Sequence, residues 1–299
     1  MSRELSDELR GDLRRIIRLH KLLPNLLTLM ALAAGMSAIQ FAVRGMWEQA
    51  AFAVVVAAVL DSLDGATARL IKASSDFGAQ LDSLSDFLSF GVAPAFILYI
   101  WVLDDAGKVG WIAVLVFAIA TALRLARFNV MQAHAYTRPV WARGFFAGVP
   151  APAGAGLALT PLFIWNQSED WSPVHDFFSD FSSGTPLIAL WTIAVAGLMV
   201  SRIPTFSTKQ LRIPARLAMP VLGLAALGIA AMIHAPWITL TCASIAYIGS
   251  IPFSFRAYRR LEAAHHDHPD AAEPLADLAL GVVTLDHVTE SEGHESDRH

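Results

Sequence analysis

The sequence predicts an all-α polytopic membrane protein, and three observations carry that reading. Of its 299 residues, 55% are hydrophobic and 16% charged, with a mean hydropathy of +0.49. A soluble domain carries about 25% charged residues. Second, apolar runs that approach the ~20 residues needed to cross a bilayer recur about eight times along the chain. Third, the basic residues are segregated. With the loops taken alternately, 20 Lys and Arg fall on one side and only two, Arg44 and Lys108, on the other, which accounts for all 22. Short cytoplasmic loops concentrate Lys and Arg. The bias therefore predicts an even number of spans with both termini in the cytoplasm.

Residues 1–23 form a charged lead-in of mixed sign. It lacks the short apolar core and small-residue cleavage site of a signal peptide. Leu5, Leu9, Leu13 and Ile16 interleave with Arg10, Arg14, Arg15 and Arg18 at helical spacing. This predicts an amphipathic cytoplasmic helix, lying either on an anionic leaflet or on the protein itself. Residues 24–255 form the transmembrane domain. Its spans are expected near 25–43, 47–70, 77–103, 109–128, 145–165, 186–201, 214–234 and 237–254. Pro24 suits the start of the first span; Asn25 either caps that span or borders a site, with Thr28 one turn on. The loop 166–185 holds Glu169, Asp170, Asp176 and Asp180 and no Lys or Arg, as an outward loop should. "GVPAPAG" (148–154) places Gly and Pro at the cytoplasmic start of the fifth span, where irregular backbone is tolerable if it lines protein or a cavity. Residues 256–299 are an acidic, mostly disordered cytoplasmic tail. His265, His266 and His268 there read as solvated, and His134 as a surface residue. The one cysteine, Cys242, permits no disulfide framework and reads as a small buried apolar residue.

The chemistry concentrates in "DSLDGATARLIKASSDFGAQLDSLSD" (61–86). Asp61, Asp64, Gly65 and Ala68 share one stripe of the second span. Gly78, Asp82, Ser85, Asp86 and Ser89 share a stripe of the third. A short turn joins the two spans, so these stripes can face each other. Carboxylates gathered in a membrane repel one another and lose hydration. They are tolerable around a water-filled cavity, when partly protonated, or when they hold cations. Oxygen-only ligands point to hard divalent ions, Mg²⁺ first, with Mn²⁺ or Ca²⁺ possible. Two metals ~4 Å apart would suit phosphoryl transfer. Arg69, one turn beyond, could pair with phosphate. Two other readings stand beside this one. The acids could cap helix ends and pair with Arg69 and Lys72, as Asp76 could for the third span, or they could relay ions in a transporter.

The spacing D61-x2-D64-G65-x2-A68-R69-x8-G78-x3-D82-x3-D86 resembles, position for position, the motif of the CDP-alcohol phosphatidyltransferases. Eight such residues at ~5% usage each would arise by chance in roughly one chain in 10⁸ of this length. The resemblance implies an integral membrane enzyme with a six-helix core, usually homodimeric, here extended by about two C-terminal transmembrane helices. It implies that Asp61, Asp64, Asp82 and Asp86 bind Mg²⁺ or Mn²⁺, two per site, and that Asp86 also serves as general base. It assigns Gly65, Ala68, Arg69 and Gly78 to the CDP-lipid head group. Over residues 20–255, "PNLLTLMALAAG", "DSLSDFLSFGVAPAFILY", "LRLARFN", "GVPAPAGAG" and "SRIPTFSTK" look like the bacterial enzymes of that family that use serine as acceptor. That likeness implies CDP-diacylglycerol and L-serine as substrates, an inner-membrane location with a cytoplasmic site, and no nucleic-acid partner. Other acceptors within the family are glycerol phosphate, inositol phosphate and choline. Arg124, Arg127, Asn129 and Arg202 are the candidates for holding the serine, with positive-inside anchoring as the alternative for each arginine.

Overall fold

The computed structural model describes residues 2–71, 75–133, 145–168, 177, 184–206 and 215–267. The chain divides into two compact units, Met1–Val130 with Val149–Ser201, and Met131–Gly148 with Arg202–His299. Apart from one pair of three-residue strands, the described elements are helical.

The first unit holds α1 (Ser2–Val43), α2 (Trp47–Leu70), α3 (Asp76–Ala106), most of α4 (Lys108–Ala133), α5 (Ala151–Ala158), α6 (Thr160–Gln167) and α7 (Gly184–Val200). The helices α1 and α2 form a tight hairpin. Its turn requires Gly45, whose φ of 71° favours a residue without Cβ. Small residues fill the interface: Ala38 and Ala42 on α1, and Ala50, Ala51 and Ala57 on α2, are wholly buried. In lipid, helices gain little from hiding apolar surface, and small residues win contact by letting backbones approach. Long apolar side chains such as Met30, Phe52 and Leu190 point outward, as lipid-facing residues do.

Among the described residues, five helices are long and apolar enough to cross a membrane: Leu23–Val43, Trp47–Leu70, Asp76–Ala106, Lys108–Met131 and Pro236–Arg260. Gly184–Val200 and Met219–His234 are apolar but shorter. The expected fifth span, 145–165, departs from the sequence reading. It begins as a strand, passes through Gly148 at a φ of 81°, and becomes helical only at Ala151. Its helix is interrupted at Leu159, because Pro161 has no N–H for the carbonyl one turn back. That carbonyl, of Leu157, accepts instead from Trp191 Nε1 on α7 at 2.7 Å.

Other corrections concern helix ends. Pro24 does not start a helix: α1 is continuous from Ser2, with Pro24 inside it, so Asn25 is no cap either. Asp76 does not cap α3; Ser75 does, accepting from Gly78 N at 3.0 Å. The third span is a single run but not uniform, with π-helical turns at Phe87–Val92 and Tyr99–Leu103. The first of these directly precedes Pro94, which supplies no N–H to the ladder.

In the second unit, β1 (Phe145–Ala147) pairs antiparallel with β2 (Pro204–Phe206), Phe146 opposite Thr205. Gly148 N donates to Ile203 O at 2.9 Å, and Thr205 Oγ1 donates to Gly148 O at 2.8 Å. The segments "GVPAPAG" and "SRIPTF" therefore meet through this pairing. The helices α8 (Ala215–His234) and α9 (Pro236–Asp267) pack on each other, and β2 packs on α9. The last helix runs on past residue 255 to Asp267. Cys242 on α9 is exposed rather than buried; on a spanning helix such a position faces lipid. His134 and His268 lie outside the described residues, as do the side chains of His265 and His266.

Candidate metal centre and head-group site

The site is built where α2 and α3 run side by side. Asp61 and Asp64 are three apart on α2, and Asp82 and Asp86 are four apart on α3, so each pair shares a helix face. One carboxylate oxygen from each of Asp61, Asp64 and Asp82 lies within 4.8 Å of the others. Asp64 is buried, and Asp61, Asp82 and Asp86 are half-buried. Asp86 joins the group through a side-chain hydrogen bond with Asp61 and lies in electrostatic reach of Asp82 and Arg124. The two acidic stripes expected from the sequence thus do face each other.

Such a gathering needs compensating positive charge or hydrogen-bond donors. Thr28 and Arg124 are among the compensating groups, and the backbone N–H of Gly65 also bonds Asp64. Thr28 Oγ1, from α1, donates to Asp64 Oδ2 at 2.6 Å. Arg124, from α4, is buried and lies over the Phe128 ring at 5.6 Å, within reach of Asp86. The chemistry of the donor set fits a hard divalent cation. Three carboxylates converge, and among the described residues no His or Cys belongs to the group.

The glycines of the motif mark close approaches. A Cβ on Gly78 would lie 2.9 Å from Asn25 Oδ1 and 3.1 Å from Ser75 Oγ. Asn25 on α1 therefore lies against Gly78. A Cβ on Gly65 would lie 3.4 Å from Arg69 Nη1, so the exposed Arg69 side chain folds back one turn over Gly65. Ala68 is half-buried one turn beyond Asp64.

The proposed acceptor residues divide. Arg124 lies over Phe128 and in electrostatic reach of Asp86. Arg127 Nη1 donates to Ser201 O at 3.2 Å, and Asn129 Nδ2 donates to Ser83 Oγ at 2.9 Å. Arg202 belongs to the second unit and is exposed. Ser85 and Ser89, expected on the acidic stripe, face α1 instead, where their hydroxyls donate to Thr28 O and Ala31 O, each at 3.1 Å. The sequence points to Thr28 only as the start of a span. Its bond to Asp64 joins residues 36 apart in the chain, beyond any helical periodicity.

A family model described as CDP-alcohol phosphatidyltransferase matches residues 21–200, and one described as CDP-alcohol phosphatidyltransferase 2 matches residues 216–252. The chain is 36% identical over 251 residues to a protein of Mycobacterium tuberculosis (strain ATCC 25618 / H37Rv) named CDP-diacylglycerol–serine O-phosphatidyltransferase. That match covers 84% of this chain and 82% of the relative. A protein of the same name from Mycobacterium leprae (strain TN) is 34% identical over 258 residues, 86% of this chain and 81% of its own. Another, from Bacillus subtilis (strain 168), is 30% identical over 181 residues, 60% of this chain and 88% of its own. The first of these family matches contains the whole run from Asp61 to Asp86 whose carboxylates converge between α2 and α3, and the chain belongs to the CDP-alcohol phosphatidyltransferase family.

Proposed function

We propose that this chain transfers the phosphatidyl group of CDP-diacylglycerol to the hydroxyl of L-serine, giving phosphatidylserine and CMP. The observation that carries the reading is the convergence of three motif carboxylates from two facing helices within 4.8 Å. Serine as acceptor is supported by the names of relatives that match most of the chain.

In this reading Asp61, Asp64 and Asp82 hold the metal, with Asp86 a shared ligand. When bound, Mg²⁺ or Mn²⁺, two to a site, neutralises the diphosphate and polarises its phosphoryl oxygens. By the family motif Gly65, Ala68 and Gly78 belong to the cytidine diphosphate site, where Arg69 lies against Gly65, and Asn25 and Ser75 lie against Gly78. Asp86 accepts the proton of the serine hydroxyl. The serine oxygen then bonds to the lipid-side phosphorus, the bond from that phosphorus to the bridging oxygen breaks, and CMP departs with that oxygen. Arg69, always charged, pairs with the departing phosphate. Arg124 is the favoured partner for the serine carboxylate, because it is buried and in electrostatic reach of Asp86. The same proposal puts the site at the cytoplasmic mouth of a bacterial inner membrane and the chain in a homodimer. Light scattering from detergent-purified protein tests the dimer.

The deciding experiment is CMP release from CDP-diacylglycerol by purified protein, with divalent metal and a panel of alcohols. CMP release that needs both L-serine and metal is expected. Turnover with glycerol phosphate, inositol phosphate or choline but not serine overturns the acceptor. Full activity in excess chelator overturns the metal.

A further inference from the structure

We propose that Thr28 is a positioning residue that sets the orientation of the Asp64 carboxylate for metal binding. The proposal rests on the metal reading above. Thr28 is 4% exposed and Asp64 5% exposed, so water does not freely replace either partner. Their 2.6 Å contact is short, as hydrogen bonds from a hydroxyl to a carboxylate are. It engages Oδ2, so a group on another helix joins the backbone N–H of Gly65 in orienting the Asp64 carboxylate. Thr28 is itself held. The hydroxyl carries one proton, and Pro24 O, 3.0 Å away on the same helix, is the second acceptor within its reach. The Thr28 backbone carbonyl accepts from Ser85 Oγ at 3.1 Å. One turn on, Ser89 Oγ bonds Ala31 O at 3.1 Å, where α1 and α3 come so close that a Cβ on Gly35 would lie 2.9 Å from Ser89 Cα.

These contacts make a relay across three helices: α3 fixes the backbone of α1 at Thr28, and Thr28 helps to orient a carboxylate of α2. The helix that carries no aspartate of the cluster thus holds in register the two that do. Groups that hydrogen-bond to a metal-binding carboxylate are part of the site's design, and their loss lowers metal affinity about 10- to 100-fold.

Mn²⁺ binding to detergent-purified protein, followed by electron paramagnetic resonance of free Mn²⁺, tests this without turnover. Thr28→Val keeps the shape and removes the hydroxyl; Thr28→Ala is a second hydroxyl-free form should the first not fold. Either is expected to weaken Mn²⁺ binding about 10- to 100-fold, with the metal-free unfolding temperature little changed. Thr28→Ser, which keeps the hydroxyl, restores most of the affinity. Asp64→Asn serves as the reference for loss of the ligand itself. Wild-type affinity in Thr28→Val while Asp64→Asn loses it overturns the positioning role and leaves the metal reading standing. A Thr28→Ser protein as weak as Thr28→Val overturns it too, since shape rather than the hydroxyl would then matter. Wild-type protein that binds no Mn²⁺ overturns the metal reading, and this role with it.

Discussion

Asp86 is set apart from the other three acids by its neighbours. It bonds Asp61 and lies in electrostatic reach of Arg124, whereas one oxygen from each of Asp61, Asp64 and Asp82 lies within 4.8 Å of the others. An Asp86→Asn protein should therefore lose turnover by about 10²- to 10⁴-fold, the usual worth of a positioned base, while stopped assays still detect CDP-diacylglycerol binding. Near-normal turnover would remove Asp86 from the base role. Arg124→Ala should raise the KM for serine by about 10- to 100-fold, the worth of a hydrogen bond to a charged group. The KM for CDP-diacylglycerol should hold. Equal changes in both KM values would mean that Arg124 supports the cluster rather than the acceptor. Gly78 allows a sharper test of crowding. An Ala there meets Asn25 Oδ1 at 2.9 Å, and overpacking of this kind costs roughly 1–3 kcal/mol. Adding Asn25→Ala to Gly78→Ala should recover part of the lost thermal stability; no recovery would locate the strain elsewhere.

Among the elements, α3 carries the greatest demands. It supplies two aspartates to α2, two serines to α1, and a serine to Asn129 of α4. A uniform α-helix would keep one face to one neighbour. The π-helical turn at Phe87–Val92 widens the helix directly after Asp86, and such turns recur at functional sites. The start of α3 depends on Ser75, whose hydroxyl accepts from Gly78 N next to the proposed head-group site. Ser75→Ala should lower stability by about 1 kcal/mol, as loss of a cap does, read as a lower unfolding temperature. An unchanged temperature would mean that packing against α1 alone holds this end.

For the whole molecule, the distribution of Lys and Arg sets the predicted orientation. It puts the Gly45 turn outside and the α2–α3 turn inside. In a Cys242→Ser chain, Arg44→Cys should react with a membrane-impermeant maleimide added to intact spheroplasts, and Asp76→Cys only after lysis. Both positions are exposed. Labelling in the opposite order would invert the topology and move the site outside.

Much of this was legible in the chain itself. Composition and the length of apolar runs require a bilayer-spanning helical protein, since lipid leaves backbone groups no other partner. The spacing of Asp61, Asp64, Asp82 and Asp86 puts acids on one stripe of each of two antiparallel helices, because helical geometry is local and regular. Tertiary structure decided what depends on partners distant in sequence. Gly148 and Pro161 turned an expected span into a strand and two short helices, and the Leu157 carbonyl freed by Pro161 found Trp191. Ser85 and Ser89 turned from the acids to α1, Arg124 and Arg127 took separate partners, and Thr28 reached Asp64. Periodicity states which face of a helix a residue occupies, but only the packed helices state which neighbour that face meets.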